Sequence, residues 1–302
     1  MGMTGQAAAA ARVIVPLWLL ETLAAGAPHR LAVNHPARAR VDLNNGAGLP
    51  CAAEHAGIQD SIMATDLLIA GHSHIECLHQ AASAARGTSV EMLNLNVLRK
   101  QSPDESQPLV KLIKKSQGWS KPRASRLCLR GNQHNIIGIV ENPRPYAIGD
   151  ASEGAAPPGL GERWFIPEAV MLDEFRAKVA QMRSLAQQIY DLWPNAARYY
   201  LNAPPPMANW EHIKANPGVF RAKVRLGPAP DALKLKLYEL QTQAYRELAE
   251  SCGASFIEPA PETCTESGFL GDDYYNDDPT HGNPAYGAVM MRRILSTMET
   301  AQ

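Results

Sequence analysis

The chain has 302 residues, 45% hydrophobic and 20% charged, which suits one large α/β domain or two small ones. A formal net charge of -1 gives no general attraction to nucleic acid or to a membrane surface, and no apolar run reaches the roughly 18 residues that span a bilayer. The five cysteines, Cys51, Cys77, Cys128, Cys252 and Cys264, form no Cys-x-x-Cys pair, so neither a disulfide framework nor a zinc site is expected and a reducing, cytoplasmic compartment fits.

Residues 1–62 read as a poorly ordered extension. They hold an alanine tract over 7–11, an apolar run over 13–20, and then Ala, Pro, Asn, Gly and Arg without periodicity. The apolar run loosely resembles a secretion signal. Against that, no Lys or Arg precedes Arg12, Pro16 interrupts the run and Glu21 follows it. Met63 stands just before the first strand and is a candidate natural start, so one α/β domain is expected over 63–302.

The first strand is predicted over 67–71, four apolar residues closed by Gly71, and a helix over about 74–86. Ser73 therefore sits at a strand-to-helix turn, where it either caps the helix or stands exposed beside free backbone N–H groups. Strand two is expected over 89–96, a short helix over 108–116, strand three over 127–129 and a loop over 141–163. A long amphipathic helix follows over 167–193, then strand four over 197–201 and a second long loop to Pro230. Asp231 is expected to cap a helix to about 251, residues 254–257 to form strand five, and Asn283-Pro284 to start the last helix. Alternating strands and helices predict a doubly wound, mostly parallel five-stranded sheet.

Three loops after strands carry chemistry: Gly71-His72-Ser73-His74, Gly131-Asn132-Gln133-His134-Asn135 and Asp278-Pro279-Thr280-His281. Acyl transfer by serine needs a base and a carboxylate that orients it, and an Asp three residues before a His supplies both from one loop. Taken alone, Asp278 and His281 read as a solvated acidic loop; the pairing with Ser73 and Asn132 raises the functional reading.

These blocks resemble the SGNH (GDSL-like) hydrolase superfamily over residues 66–302. The resemblance implies a three-layer α/β/α, flavodoxin-like fold and a serine esterase without a cofactor. It makes Ser73 the nucleophile, His281 the base and Asp278 its orienter. The Ser73 N–H and the Asn132 side chain become oxyanion donors, and the partner is a small-molecule or glycan ester, such as an O-acetyl group on a polar carrier. The third block allows two registers; Asn132 is preferred over Gln133 because the shorter amide is the family's choice. His72 stands where the family carries Asp, Arg130 where it often carries Gly, and only Gly118 offers a second-block glycine.

Two other classes stay open. His72, His74, His134 and Asp278 could serve a metallophosphoesterase, although Gly-His-x-His comes first here rather than last. A non-catalytic carbohydrate-binding relative would keep the fold but not the triad. The basic run Lys111, Lys114, Lys115, Lys121, Arg123, Arg126 and Arg130, with Trp119, reads as a solvated face before an anion site. The two long loops are expected to wall the pocket.

Overall fold

The computed structural model describes residues 66–82, 88–102, 108–117, 122–150 and 163–299. The expected extension over 1–62 lies outside the described residues, as does Gly118. Five parallel strands form the central sheet: β1 (Leu67–Gly71), β2 (Val90–Asn94), β3 (Ala124–Cys128), β6 (Ala197–Leu201) and β7 (Ser255–Ile257), in the order β2-β1-β3-β6-β7. The expectation of a doubly wound parallel sheet with flavodoxin-like strand order holds. A pair of short parallel strands stands apart: β4 (Tyr146–Gly149) inside the segment read as loop and β5 (Trp164–Pro167) just after it.

Side-chain alternation explains the three layers. Along β1, Leu67 and Ile69 enter one apolar cluster and Ala70 the other; along β6, Tyr199 and Leu201 oppose Tyr200. One cluster is closed by α3 (Leu109–Gln117), α5 (Glu168–Tyr190) and α7 (Asp231–Ser251), through Ile113, Phe175 and Leu237. The other is closed by α1 (Glu76–Ala82) and α8 (Pro284–Glu299), through Leu78 and Ile294. All residues of β1 are buried because the strand is paired on both edges and covered on both faces.

Four expectations need correction. Strand two stops at Asn94 rather than Asn96, because the Asn94 carboxamide accepts from the Asn96 N–H at 2.9 Å and the Val97 N–H at 3.1 Å. That capping starts α2 (Leu95–Lys100). Strand three begins at Ala124, three residues early; Ser125 and Arg126 masked its apolar character. Arg126 is nevertheless fully buried, donating to the Ile294 carbonyl at 3.0 Å and the Thr297 hydroxyl at 2.6 Å, with its guanidinium 4.2 Å over the Tyr199 ring. The N-cap of α7 is Pro230; Asp231 lies in the first turn, 2.9 Å from the Lys234 ammonium. The second long loop contains α6 (Trp210–Ala215), capped by the Asn209 side chain, which accepts from the His212 N–H at 3.1 Å.

Candidate active site

The C-terminal ends of β1 and β3 lie side by side, with Gly71 in register with Cys128. Beyond them, the His72 N–H donates to the Cys128 carbonyl at 3.1 Å. A single 3-10 turn, Ser73–Ile75, then leads into α1. The N-cap is His72 and makes no side-chain capping bond, so Ser73 is not spent on capping. A first-turn N–H has no partner within its helix, and among the described residues no acceptor takes up that of Ser73.

The Ser73 hydroxyl lies 2.8 Å from His281 Nε2. This contact spans the chain and depends on two helices meeting closely. A Cβ on Gly287 of α8 would stand 1.9 Å from the Cys77 carbonyl of α1, so only a glycine lets the helices approach this far. That approach brings the start of α1 against the loop that precedes α8.

The loop end is built locally. Asp278 Oδ1 accepts from the Thr280 N–H at 2.8 Å, the His281 N–H at 2.9 Å and the Thr280 hydroxyl at 3.1 Å. It also stands 2.9 Å from His281 Nδ1, and Asp278 Oδ2 accepts from the Asn276 amide at 2.9 Å. Burial pushes the Asp278 carboxyl up, but its bonds to His281, Thr280 and Asn276 outweigh that and hold it below the usual carboxylate range. An ionised Asp278 accepts, so the proton of the neutral imidazole sits on Nδ1 and leaves Nε2 free to accept from Ser73. His212 of α6 braces the loop with Nε2 2.8 Å from the Asn276 carbonyl, and the Tyr275 hydroxyl accepts from the Ala208 N–H at 3.2 Å. Asn276 and Thr280 carry no motif of their own, and sequence reasoning missed them.

The turn after β3 is held differently. Arg130 adopts φ 61° and Gly131 φ 104°, two left-handed residues in succession. A Cβ on Gly131 would approach the Ala203 methyl to 2.8 Å. The Tyr200 hydroxyl accepts from the Leu129 N–H at 3.2 Å and donates to its carbonyl at 2.9 Å. The Gln241 side chain donates to the Gly131 carbonyl at 2.7 Å and accepts from the His134 N–H at 2.9 Å.

Asn132 follows as the N-cap residue of α4 (Gln133–Gly138) and makes no capping bond. Its Oδ1 accepts from the Asn135 amide at 3.0 Å, which orients the carboxamide and leaves its N–H₂ to be offered elsewhere. Gln133 is buried within α4, and its Oε1 has no partner among the described residues. At the end of β2 the Asn96 and Val97 N–H groups are taken by the Asn94 side chain.

The other histidines take separate positions. His72 Nδ1 accepts from the Arg130 N–H at 3.2 Å. His74 is buried 4.7 Å from the His281 ring, and His134 packs edge-on to Tyr238; neither makes a ring-nitrogen hydrogen bond among the described residues. Burial, with the neighbouring His281, keeps His74 neutral, and burial pushes His134 down to about 4. Among the described residues no three His, Cys, Asp or Glu gather as a ligand set, and both Asp278 oxygens are taken up by donors. Arg126 is buried and takes no part in a basic surface; Trp119 and Lys121 of that run lie outside the described residues. An apolar cavity of about 350 Å³ opens between α1 and α2, lined by Ile75, Glu76, Met92, Val97 and Leu98.

No family model and no curated protein matches the chain. Solved structures do. A GDSL-like lipase from Bacteroides thetaiotaomicron is 13% identical over 79% of this chain and 89% of its own, with a TM-score of 0.39. The periplasmic domain of the lipopolysaccharide acetyltransferase of Salmonella Paratyphi A is 13% identical over 78% and 84%, at 0.43. Phospholipase A1 from Streptomyces albidoflavus is 12% identical over 78% and 99%, at 0.41. This chain resembles the SGNH hydrolases. Among the described residues no helix is long and apolar enough to cross a membrane.

Proposed function

We propose that the protein is a serine ester hydrolase whose nucleophile is Ser73. The observation that carries this is the unbroken chain from the Ser73 hydroxyl to His281 Nε2 at 2.8 Å and from His281 Nδ1 to Asp278 Oδ1 at 2.9 Å. Ser73 Oγ attacks the ester carbonyl while its proton passes to His281 Nε2. The tetrahedral oxyanion is stabilised by the Ser73 N–H and the Asn132 amide. Collapse breaks the bond to the alcohol oxygen, which takes the proton from His281. Water then attacks the acyl-serine through the same base, releasing the acid and restoring Ser73; an acceptor alcohol in place of water would make the reaction an acyl transfer. Asp278 holds the Nδ1–H tautomer and stabilises the imidazolium, and no step needs a metal or cofactor.

The substrate class this chemistry implies is a small-molecule or glycan ester. An O-acetyl group on a polar carrier needs no apolar acyl site. The cavity beside α1 and α2 favours a second reading, an ester with a longer apolar chain, because Val97 at its rim is 45% exposed. The four cysteines described, Cys77, Cys128, Cys252 and Cys264, are free thiols, which supports a cytoplasmic setting.

The test is a series of p-nitrophenyl esters from acetyl to decanoyl, with acetylated sugars, on the wild type and Ser73→Ala. Ser73→Ala should lose on the order of 10³-fold or more in kcat and its fluorophosphonate labelling while keeping its thermal midpoint. Full activity in a clean preparation of that variant would remove Ser73 from the mechanism. A rate falling steeply beyond acetyl supports the polar-carrier reading; a rate rising with chain length supports the apolar one.

A further inference from the structure

We propose that His72 is a positioning residue for the oxyanion turn: its Nδ1 holds the Arg130 N–H and so keeps the turn that delivers Asn132 in its left-handed form. The proposal rests on the esterase reading, in which Asn132 donates to the oxyanion.

Three observations meet here. Arg130 has φ 61°, a region that costs free energy for any residue with a Cβ and that glycine enters freely. Such strain persists only where surrounding contacts over-determine it. Leu129 before the turn is held by Tyr200, and the Gly131 carbonyl after it by Gln241. Arg130 itself, the strained residue, is held at its N–H by His72 at 3.2 Å.

His72 is well placed for the task. Its own N–H donates to the Cys128 carbonyl at 3.1 Å, so the residue pins the turn after β3 from both its backbone and its ring. It directly precedes Ser73, so movement of the turn relative to His72 is movement of Asn132 relative to the nucleophile. Accepting at Nδ1 requires an unprotonated Nδ1, with the ring proton on Nε2. Burial, with the Arg130 charge beside it, pushes His72 down to about 4 and keeps the ring neutral at working pH.

The same geometry accounts for a departure from the resemblance. Imidazole Nδ1 and the Oδ1 of Asp or Asn stand at the same bond separation from Cβ, so His can supply the acceptor that a carboxylate would. The strained Arg130 and the acceptor at residue 72 are then one device: a Cβ-bearing residue in a glycine conformation, and the hydrogen bond that holds it there.

The experiment compares His72→Ala and His72→Asn in the full chain, with steady-state kinetics on one short-chain ester and amide hydrogen exchange over residues 129–133. His72→Ala should lower kcat about 10- to 100-fold with KM little changed, because the donor affected acts mainly in the transition state. Exchange at Arg130 should accelerate. His72→Asn, which keeps an acceptor at that position, should restore kcat to within about threefold and restore the protection. A kcat for His72→Ala within twofold of wild type, a loss confined to KM, or no rescue by Asn would each overturn the proposal, as would unchanged exchange at Arg130. Failure of the esterase reading shows separately, as hydrolysis indifferent to Ser73→Ala.

Discussion

The two halves of the site are held by different means. At the Asp278–His281 loop, nearly every bond is short-range: Thr280, His281 and Asn276 all donate to Asp278 from within three residues. At the Leu129–Asn132 turn, the bonds come from far along the chain: His72, Tyr200 and Gln241 each reach in from a separate element. The first is a mostly local unit, built from Asn276 and residues 278–281 and braced from α6 by His212. The second is a strained turn whose shape exists only because the sheet and α7 surround it. A local unit survives changes elsewhere; a turn braced from three sides is sensitive at every brace.

The largest break of the first half is Asp278→Asn. Asn at this position cannot serve both the backbone N–H groups and the imidazole as a carboxylate does, so the His281 tautomer is lost and kcat should fall about 10³- to 10⁴-fold. Its folded-state pKa is depressed, so the ionised carboxylate contributes stability at neutral pH that fades as pH drops below about 4 toward the folded value. The thermal midpoint of Asp278→Asn should therefore fall less than that of the wild type between pH 5 and 2, as scanning calorimetry can show.

Next in size is Asn132→Ala, which should cost roughly 10²–10³-fold in kcat with KM little changed. Gln133→Ala should cost less than about tenfold, since that side chain is buried in α4 rather than standing in the turn. Measuring both on one ester decides the register; a crippled Gln133→Ala beside a healthy Asn132→Ala would move the oxyanion donor by one residue.

The smallest effect sharpens the comparison. Arg130→Gly removes a Cβ from a left-handed residue and should leave kcat within a few-fold while holding or raising the thermal midpoint by a few degrees. Gly131→Ala places a Cβ 2.8 Å from the Ala203 methyl at φ 104° and should lower both. A drop in stability for Arg130→Gly would mean that the arginine side chain, not its backbone, anchors the turn.

Much of this was readable in the amino-acid order alone. Runs such as Leu67–Gly71 and the amphipathic stretches of α5 and α7 declare their class because burial on two faces leaves an unbroken apolar run and burial on one face leaves a period. Short motifs singled out Ser73, Asn132, Asp278 and His281 as candidates, since a serine at a strand end and an Asp three before a His are local signals. Polar residues buried by tertiary contact were illegible: Arg126 lay inside a strand because Ile294, Thr297 and Tyr199 receive it, and the boundary of β2 followed from one Asn94 side chain.

What the order of residues determined by itself was therefore the sequence of elements, the parallel alternation and which residues are candidates for the site. Only the tertiary structure decided that Ser73 meets a histidine 208 positions away, because that depends on Gly287 letting α8 close on α1. It alone decided, too, that Arg130 is left-handed and that His72 holds it. Local patterns record the free energy of burying one face of one element; the distance between two turns is set by packing among many, and no single stretch of chain encodes it.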